Sequence, residues 1–217
     1  IRKYLKREAK IISPGVDVDK FENVNYGNYF LYPSRITPEK NFEMAIEAFK
    51  LFRKSDKKYE KYELIIAGAI QNERKEHVIY LEKLKKMKSD NVKIQINLEE
   101  EELINLYKNC LCVLFTPVNE DFGIVPIEAM AHGKPVLAHR SGGHLETVIE
   151  GETGLFFEEA TVECLSEKLL EFDQMIKNKK FDHEKIKNHA QKFSKERFQS
   201  ELKDFVREKW EEHNRDA

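Results

Sequence analysis

Two glutamates, Glu120 and Glu128, bracket the segment E-D-F-G-I-V-P-I-E at residues 120 to 128. A helix is predicted to begin near Ile124, with Pro126 in its first turn, where a proline costs little because first-turn amides have no intrahelical partner. Those amides and the positive end of the helix dipole make an anion site, and Gly123 lets a phosphate come close to the backbone. Helical Cα–Cβ bonds tilt towards the N-terminus, so Glu128, just over one turn in, aims its carboxylate back at the same end. A carboxylate placed there can accept two hydrogen bonds from a vicinal diol such as a ribose. Glu120 lies before the helix, across the phosphate site, where it would meet the other end of a nucleotide sugar. Each carboxylate also has a plain structural use: Glu120 and Asp121 complement the helix dipole, and Glu128 serves as a solvated helix residue.

The elements that must position these groups are written in the hydrophobic pattern. Short apolar, β-branched or aromatic runs predict strands at Tyr29 to Tyr32, Leu64 to Ala67, Val92 to Ile96, Cys112 to Thr116, Val136 to Ala138 and Leu155 to Phe157. Continuous apolar strands of this length suit a parallel sheet covered on both faces. Helical periodicity lies between them, at Asn41 to Arg53, His77 to Met87, Glu100 to Tyr107, Ile124 to Ala131 and Leu145 to Ile149. The alternation calls for right-handed βαβ units and a Rossmann-like, doubly wound α/β sheet, which binds ligands beyond the carboxyl ends of its strands. After residue 160 only helices follow, at Val162 to Ile176, His183 to Lys192 and Lys195 to Trp210.

Composition narrows the function classes. The chain has 217 residues and is 41% hydrophobic, which is enough for a core. Lys and Arg number 37 against 39 Asp and Glu, leaving a net charge of −2, so no global field attracts nucleic acid. No run of about 18 uncharged apolar residues spans a bilayer and no signal-like segment opens the chain, so a cytoplasmic setting is the default. Cys110 and Cys112 lie in an apolar strand-like run, and with Cys164 they read as thiols rather than as a metal site.

The run P-V-N-E-D-F-G-I-V-P-I-E-A-M-A-H-G-K-P-V-L-A-H-R-S-G-G, residues 117 to 143, resembles the E-x7-E signature of retaining glycosyltransferase family 4, whose members adopt the two-domain GT-B fold. Upstream, Y-P-S-R-I-T-P-E-K-N-F at residues 32 to 42 is similar to the family's segment with an arginine and a lysine after a strand. Downstream, S-G-G-H-L-E-T-V-I-E-G-E-T-G-L-F at residues 141 to 156 resembles the stretch that follows the signature. The resemblance covers about residues 11 to 175. It implies that Arg35 and Lys40 neutralise the leaving nucleotide diphosphate, that Glu128 holds the ribose and that Glu120 faces the donor sugar. Glu120, Arg35 and Lys40 are the catalytic candidates. By the same resemblance the amides of Phe122, Gly123, Ile124 and Val125 meet sugar hydroxyls and phosphate, while Gly68, Asn97 and Leu98 fall where the nucleobase sits. Relatives often carry glycine at the position of Asn97, which leaves the base pocket open to variation.

The resemblance further implies the C-terminal, donor-binding half of the enzyme. Residues 1 to 24 are then an interdomain linker and a remnant of the N-terminal domain, 25 to 178 the Rossmann-like domain, and 179 to 217 terminal helices, the last crossing back to an N-terminal domain. The donor is a nucleotide sugar, with no metal and no other cofactor. The variant here looks closest to mannosyltransferases using GDP-mannose, and a UDP-sugar satisfies the same motif. A glycan or lipid-linked acceptor would come through the other half, and peripheral contact of the longer protein with the cytoplasmic membrane face is compatible with that role. A non-catalytic sugar-nucleotide-binding module and another GT-B enzyme such as a nucleotide-sugar epimerase are the alternatives. Asp17-Val18-Asp19 spells a metal-binding D-x-D, but Arg35 and Lys40 already supply the charge. Gly142-Gly143 reads as a tight turn, His139 and His144 as polar surface or turn residues, and Trp210 as a core or interface residue.

Overall fold

The computed structural model describes residues 4, 8–18, 25–71 and 74–215. Its strands are β1 (Tyr29–Arg35), β2 (Glu63–Ala69), β3 (Val92–Ile96), β4 (Cys112–Phe115), β5 (Val136–His139) and β6 (Gly154–Phe157). Between and after them run α1 (Phe42–Lys54), α2 (Lys75–Met87), α3 (Glu100–Asn109), α4 (Ile124–Ala131), α5 (His144–Thr147), α6 (Val162–Lys177), α7 (His183–Ala190) and α8 (Lys195–Arg215).

The six strands form one parallel sheet in the order β3-β2-β1-β4-β5-β6. Strand order therefore reverses between β1 and β4, the place where a doubly wound sheet opens a crevice. These two strands pair only at Phe30 with Cys112 and Leu31 with Val113 before they diverge. A side-chain bridge takes over beyond them, with the Tyr32 hydroxyl 2.9 Å from Thr116 Oγ1.

Burial explains why the strands read as unbroken apolar runs. All four residues of β4, of β5 and of β6 are buried. On α1, Phe42, Ala45, Ile46, Phe49 and Phe52 recur at helical spacing and are fully buried. Phe30 of β1 meets Phe52 edge-on at 5.5 Å between ring centroids. Cys110 and Cys112 are buried free thiols, as their apolar surroundings suggest.

The two ends of the described chain meet. Val16 forms a parallel bridge with Ser194, its N–H donating to the Phe193 carbonyl at 2.9 Å and its carbonyl accepting from Lys195 N at 3.0 Å. Gly15 has to be small there, since a Cβ would stand 2.7 Å from Lys195 Cα. Beyond this crossing α8 buries none of its residues, and Trp210 is 66% exposed, which removes it from the core. Among the described residues no helix is long and apolar enough to cross a membrane.

Candidate functional site

A cleft of about 350 Å³ opens at the carboxyl ends of β1 and β2, walled by the turn after β3 and by α3 and α4. Of the residues singled out in the sequence, Arg35, Gly68, Asn97, Leu98, Val125 and Glu128 line it. Lys40, Glu120, Phe122, Gly123 and Ile124 instead form or adjoin the loop that leads into α4. The residues chosen for base and ribose thus line one cleft with Arg35, while Lys40, Glu120 and most of the amides chosen for sugar and phosphate lie around the neighbouring helix start.

Backbone geometry accounts for the small residues of the cleft. A Cβ on Gly68 would stand 2.3 Å from Ile36 Cδ1, so any larger residue here would force the buried Ile36 side chain to shift. Asn97 adopts a left-handed conformation with φ of 51°, which asparagine tolerates better than most residues. Its N–H donates to the Gly68 carbonyl at 2.8 Å and its Oδ1 accepts from Ile70 N at 2.9 Å. Asn97 thus takes a glycine-like backbone conformation and ties two turns together.

Glu128 faces the cleft from α4 and is far from a solvated helix residue. Its Oε2 accepts from the Tyr107 hydroxyl at 2.8 Å. Burial pushes its carboxyl above the ordinary glutamate range, and the Tyr107 hydrogen bond acts the other way. Tyr107 is itself buried and stacks on His132, with centroids 4.8 Å apart and planes 6° from parallel. Sequence reasoning missed Tyr107. Its place on the inner face of α3, one turn after Leu103, reads as ordinary core.

Lys40 and Glu120 meet directly, Nζ to Oε2 at 2.7 Å, with their side chains 8% and 25% exposed. Lys40 is positioned by its own backbone, because its carbonyl accepts from both the Tyr32 hydroxyl and Thr116 Oγ1. Arg35 is exposed at the cleft wall.

The loop into α4 is shaped by its glycines. Gly123 is the N-cap with φ of 86°, a left-handed value natural to glycine. Behind it the Gly142-Gly143 turn does more than reverse the chain. Gly143 N donates to the Glu120 carbonyl at 2.7 Å, and a Cβ on Gly143 would strike Phe122 Cα at 2.4 Å. Ser141 Oγ accepts from Asn119 N at 2.8 Å and lies 2.7 Å from His139 Nδ1. His139 and His144, read from sequence as polar surface or turn residues, do flank this turn but are both buried, because the turn folds onto the loop into α4. The Phe122 side chain turns away to pack edge-on against Phe193 at 5.9 Å, leaving its backbone to face the loop.

Asp17 lines a smaller cleft of about 150 Å³ on the other flank of Tyr107 and Glu128. The other aspartate of that D-x-D, Asp19, lies outside the described residues.

Residues 17–193 match the family described as glycosyl transferases group 1. An alpha-1,3/1,6-mannosyltransferase ALG2 of Dictyostelium discoideum is 31% identical over 184 residues, covering 70% of this chain and 44% of that protein. Its human counterpart is 33% identical over 169 residues, covering 70% of this chain and 41% of that one. The chain thus spans less than half the length of these relatives. Among solved structures, a sucrose-phosphate synthase from Thermosynechococcus elongatus superposes with a TM-score of 0.81 at 21% identity, over 96% of this chain and 55% of the other. That likeness is one of fold.

Proposed function

This chain belongs to the group 1 glycosyl transferases, and from that premise we propose that it is the donor-binding part of a retaining mannosyltransferase that takes its sugar from GDP-mannose. The observation that carries the reading is Glu128, presented by α4 into the cleft and held there by Tyr107, with the Lys40–Glu120 pair beside the start of the same helix. The mannosyltransferase names of the relatives support the sugar.

On this reading the nucleoside fills the cleft between Gly68, Asn97 and Leu98, and Glu128 accepts hydrogen bonds from the ribose hydroxyls. The diphosphate lies towards Arg35 and the amides of Gly123, Ile124 and Val125, where the helix dipole favours negative charge. Departure of the diphosphate leaves negative charge that Arg35, Lys40 and those amides stabilise as it develops. Glu120 faces the mannose. Retention is what the resemblance implies, and transfer then proceeds on the face the diphosphate leaves, with the departing phosphate taking the acceptor's proton. The acceptor, a glycan or a lipid-linked one, enters from a second domain that α8 reaches with its exposed Leu202, Val206 and Trp210.

Calorimetric titration of the chain with GDP, UDP and ADP tests the proposal. GDP should bind tightest, and Glu128→Ala should weaken it about 10- to 150-fold, the worth of hydrogen bonds to a charged group. An unchanged affinity in that variant removes Glu128 from the ribose, and a preference for UDP removes GDP-mannose as donor.

A further inference from the structure

The wall behind the Lys40–Glu120 pair holds a polar group with no task so far. His144 opens α5 and is fully buried. Its Nδ1 lies 2.8 Å from the His139 carbonyl oxygen. A carbonyl only accepts, so Nδ1 carries the proton and donates it. In the neutral ring Nε2 is then a bare lone pair, an acceptor. Burial pushes the imidazole below the ordinary histidine range, which keeps it neutral. Nε2 has no hydrogen-bond partner among the described residues. Buried acceptors are rarely left this way, because an unsatisfied polar group weakens the fold.

Its contacts place the ring in the wall of the sugar side. It meets Phe115 edge-on, with centroids 5.2 Å apart. Lys40 Nζ stands 5.6 Å from the centroid of that same Phe115 ring. His144 Cδ2, the ring atom next to Nε2, would be 3.3 Å from a Cβ built on Gly123, so the imidazole backs the residue that opens α4. Phe115, Gly123, Lys40 and His144 therefore share one small region.

We propose that His144 is a donor-sugar-binding residue, its Nε2 accepting a hydrogen bond from one hydroxyl of the transferred hexose. The inference rests on the reading of Glu120 as the carboxylate that faces this hexose. Without donor, Lys40 and Glu120 satisfy each other and Nε2 stays closed from solvent. The diphosphate draws Lys40 away, the sugar engages Glu120, and the exposed lone pair takes a hydroxyl. A hydroxyl fits where a phosphate does not, since phosphate oxygens present lone pairs to a lone pair. Glu128 holds the other end of the donor, so His144 distinguishes a nucleotide sugar from its bare nucleotide.

The experiment compares GDP with GDP-mannose. His144→Asn keeps a side-chain N–H for the His139 carbonyl and ends short of the Nε2 position. It should leave GDP affinity within about twofold and weaken GDP-mannose roughly fivefold to tenfold, the worth of one hydrogen bond. In the unsubstituted chain, labelled with 15N-histidine, the His144 Nε2 resonance should move on adding GDP-mannose and stay in place on adding GDP. That arm holds whatever the substitution does to folding. A resonance that saturating GDP-mannose leaves unmoved overturns the proposal, as does an Asn variant that binds GDP-mannose as the parent does. A parent chain that binds neither compound overturns the donor-site reading itself, a separate outcome.

Discussion

Glu120 and Glu128 belong to one short segment, yet the fold gives them opposite partners. Glu120 is bonded to a cation, Lys40, at 2.7 Å, and Glu128 to a neutral phenol, Tyr107, at 2.8 Å. A pair of opposite charges is readily exchanged when a ligand brings its own negative charge, because the lysine can trade carboxylate for phosphate. A carboxylate held by one neutral donor keeps most of its acceptor capacity, since an ionised carboxylate offers about four lone-pair sites. Glu128 is thus arranged to bind and Glu120 to exchange. On the proposed reading, the distinction puts recognition at one end of the site and chemistry at the other.

The largest effect should come from the exchanging end. In the longer enzyme, Lys40→Ala removes a cation from the departing diphosphate and should lower turnover by about 10²- to 10³-fold, the usual worth of one preorganised charge-stabilising group. GDP affinity should fall at least tenfold less than turnover, because the full charge separation occurs only in the transition state. Steady-state kinetics beside equilibrium titration checks this. Equal losses would erase the division between the two glutamates.

How much of this division was legible in sequence depends on how far apart the interacting groups lie. Alternating strand and helix patterns give the parallel sheet, because each apolar run is local and most strand residues outside β3 are buried. Gly123 was singled out only for the close approach of a phosphate, and its left-handed φ of 86° at the helix start emerges from the structure. Tyr107 was not legible. A tyrosine on an amphipathic helix is indistinguishable from core packing until α3 docks beside α4 and its hydroxyl finds Glu128. His139 and His144 were misjudged for the same reason: H-R-S-G-G-H is polar and short, and its burial follows from the long-range fit of Gly143 against the Phe122 backbone. For Asn97, the sequence alone does not say that its side chain supports the left-handed turn it adopts.

The binding end should announce itself through pH. Burial raises the Glu128 carboxyl above its unfolded value, so its folded form takes up a proton sooner as pH falls. Two consequences run in opposite directions. GDP affinity should be constant above this raised value and decline as pH drops through it, before an ordinary glutamate would titrate. Stability of the free chain has the reverse sign: the contribution of the protonated carboxyl is fully present below the unfolded value and is lost as pH rises through the folded one. Glu128→Gln should therefore melt at a higher temperature than the parent at pH 7 while binding GDP more weakly, and it should flatten the acid limb of the affinity profile. Thermal melts and titrations across pH 4.5 to 8 check both signs, and a Gln variant less stable than the parent at pH 7 would contradict the burial account.

The smallest effect isolates the hydroxyl that holds Glu128. Tyr107→Phe keeps the ring stacked on His132 and deletes only the donor to Oε2. That hydrogen bond opposes the upward push of burial on Glu128, so its loss should raise the carboxyl further and move the acid limb of GDP binding to higher pH. Well above the midpoint of either profile the carboxylate is ionised in both proteins, and affinity there should change by less than the roughly tenfold or greater loss expected for Glu128→Ala. The shift in midpoint, more than the change in affinity, is the signature. A midpoint that stays still or moves down would show that Tyr107 does not hold the carboxylate. Glu128 would then owe its position to α4 alone, and the contrast with the lysine-held Glu120 would lose its physical basis.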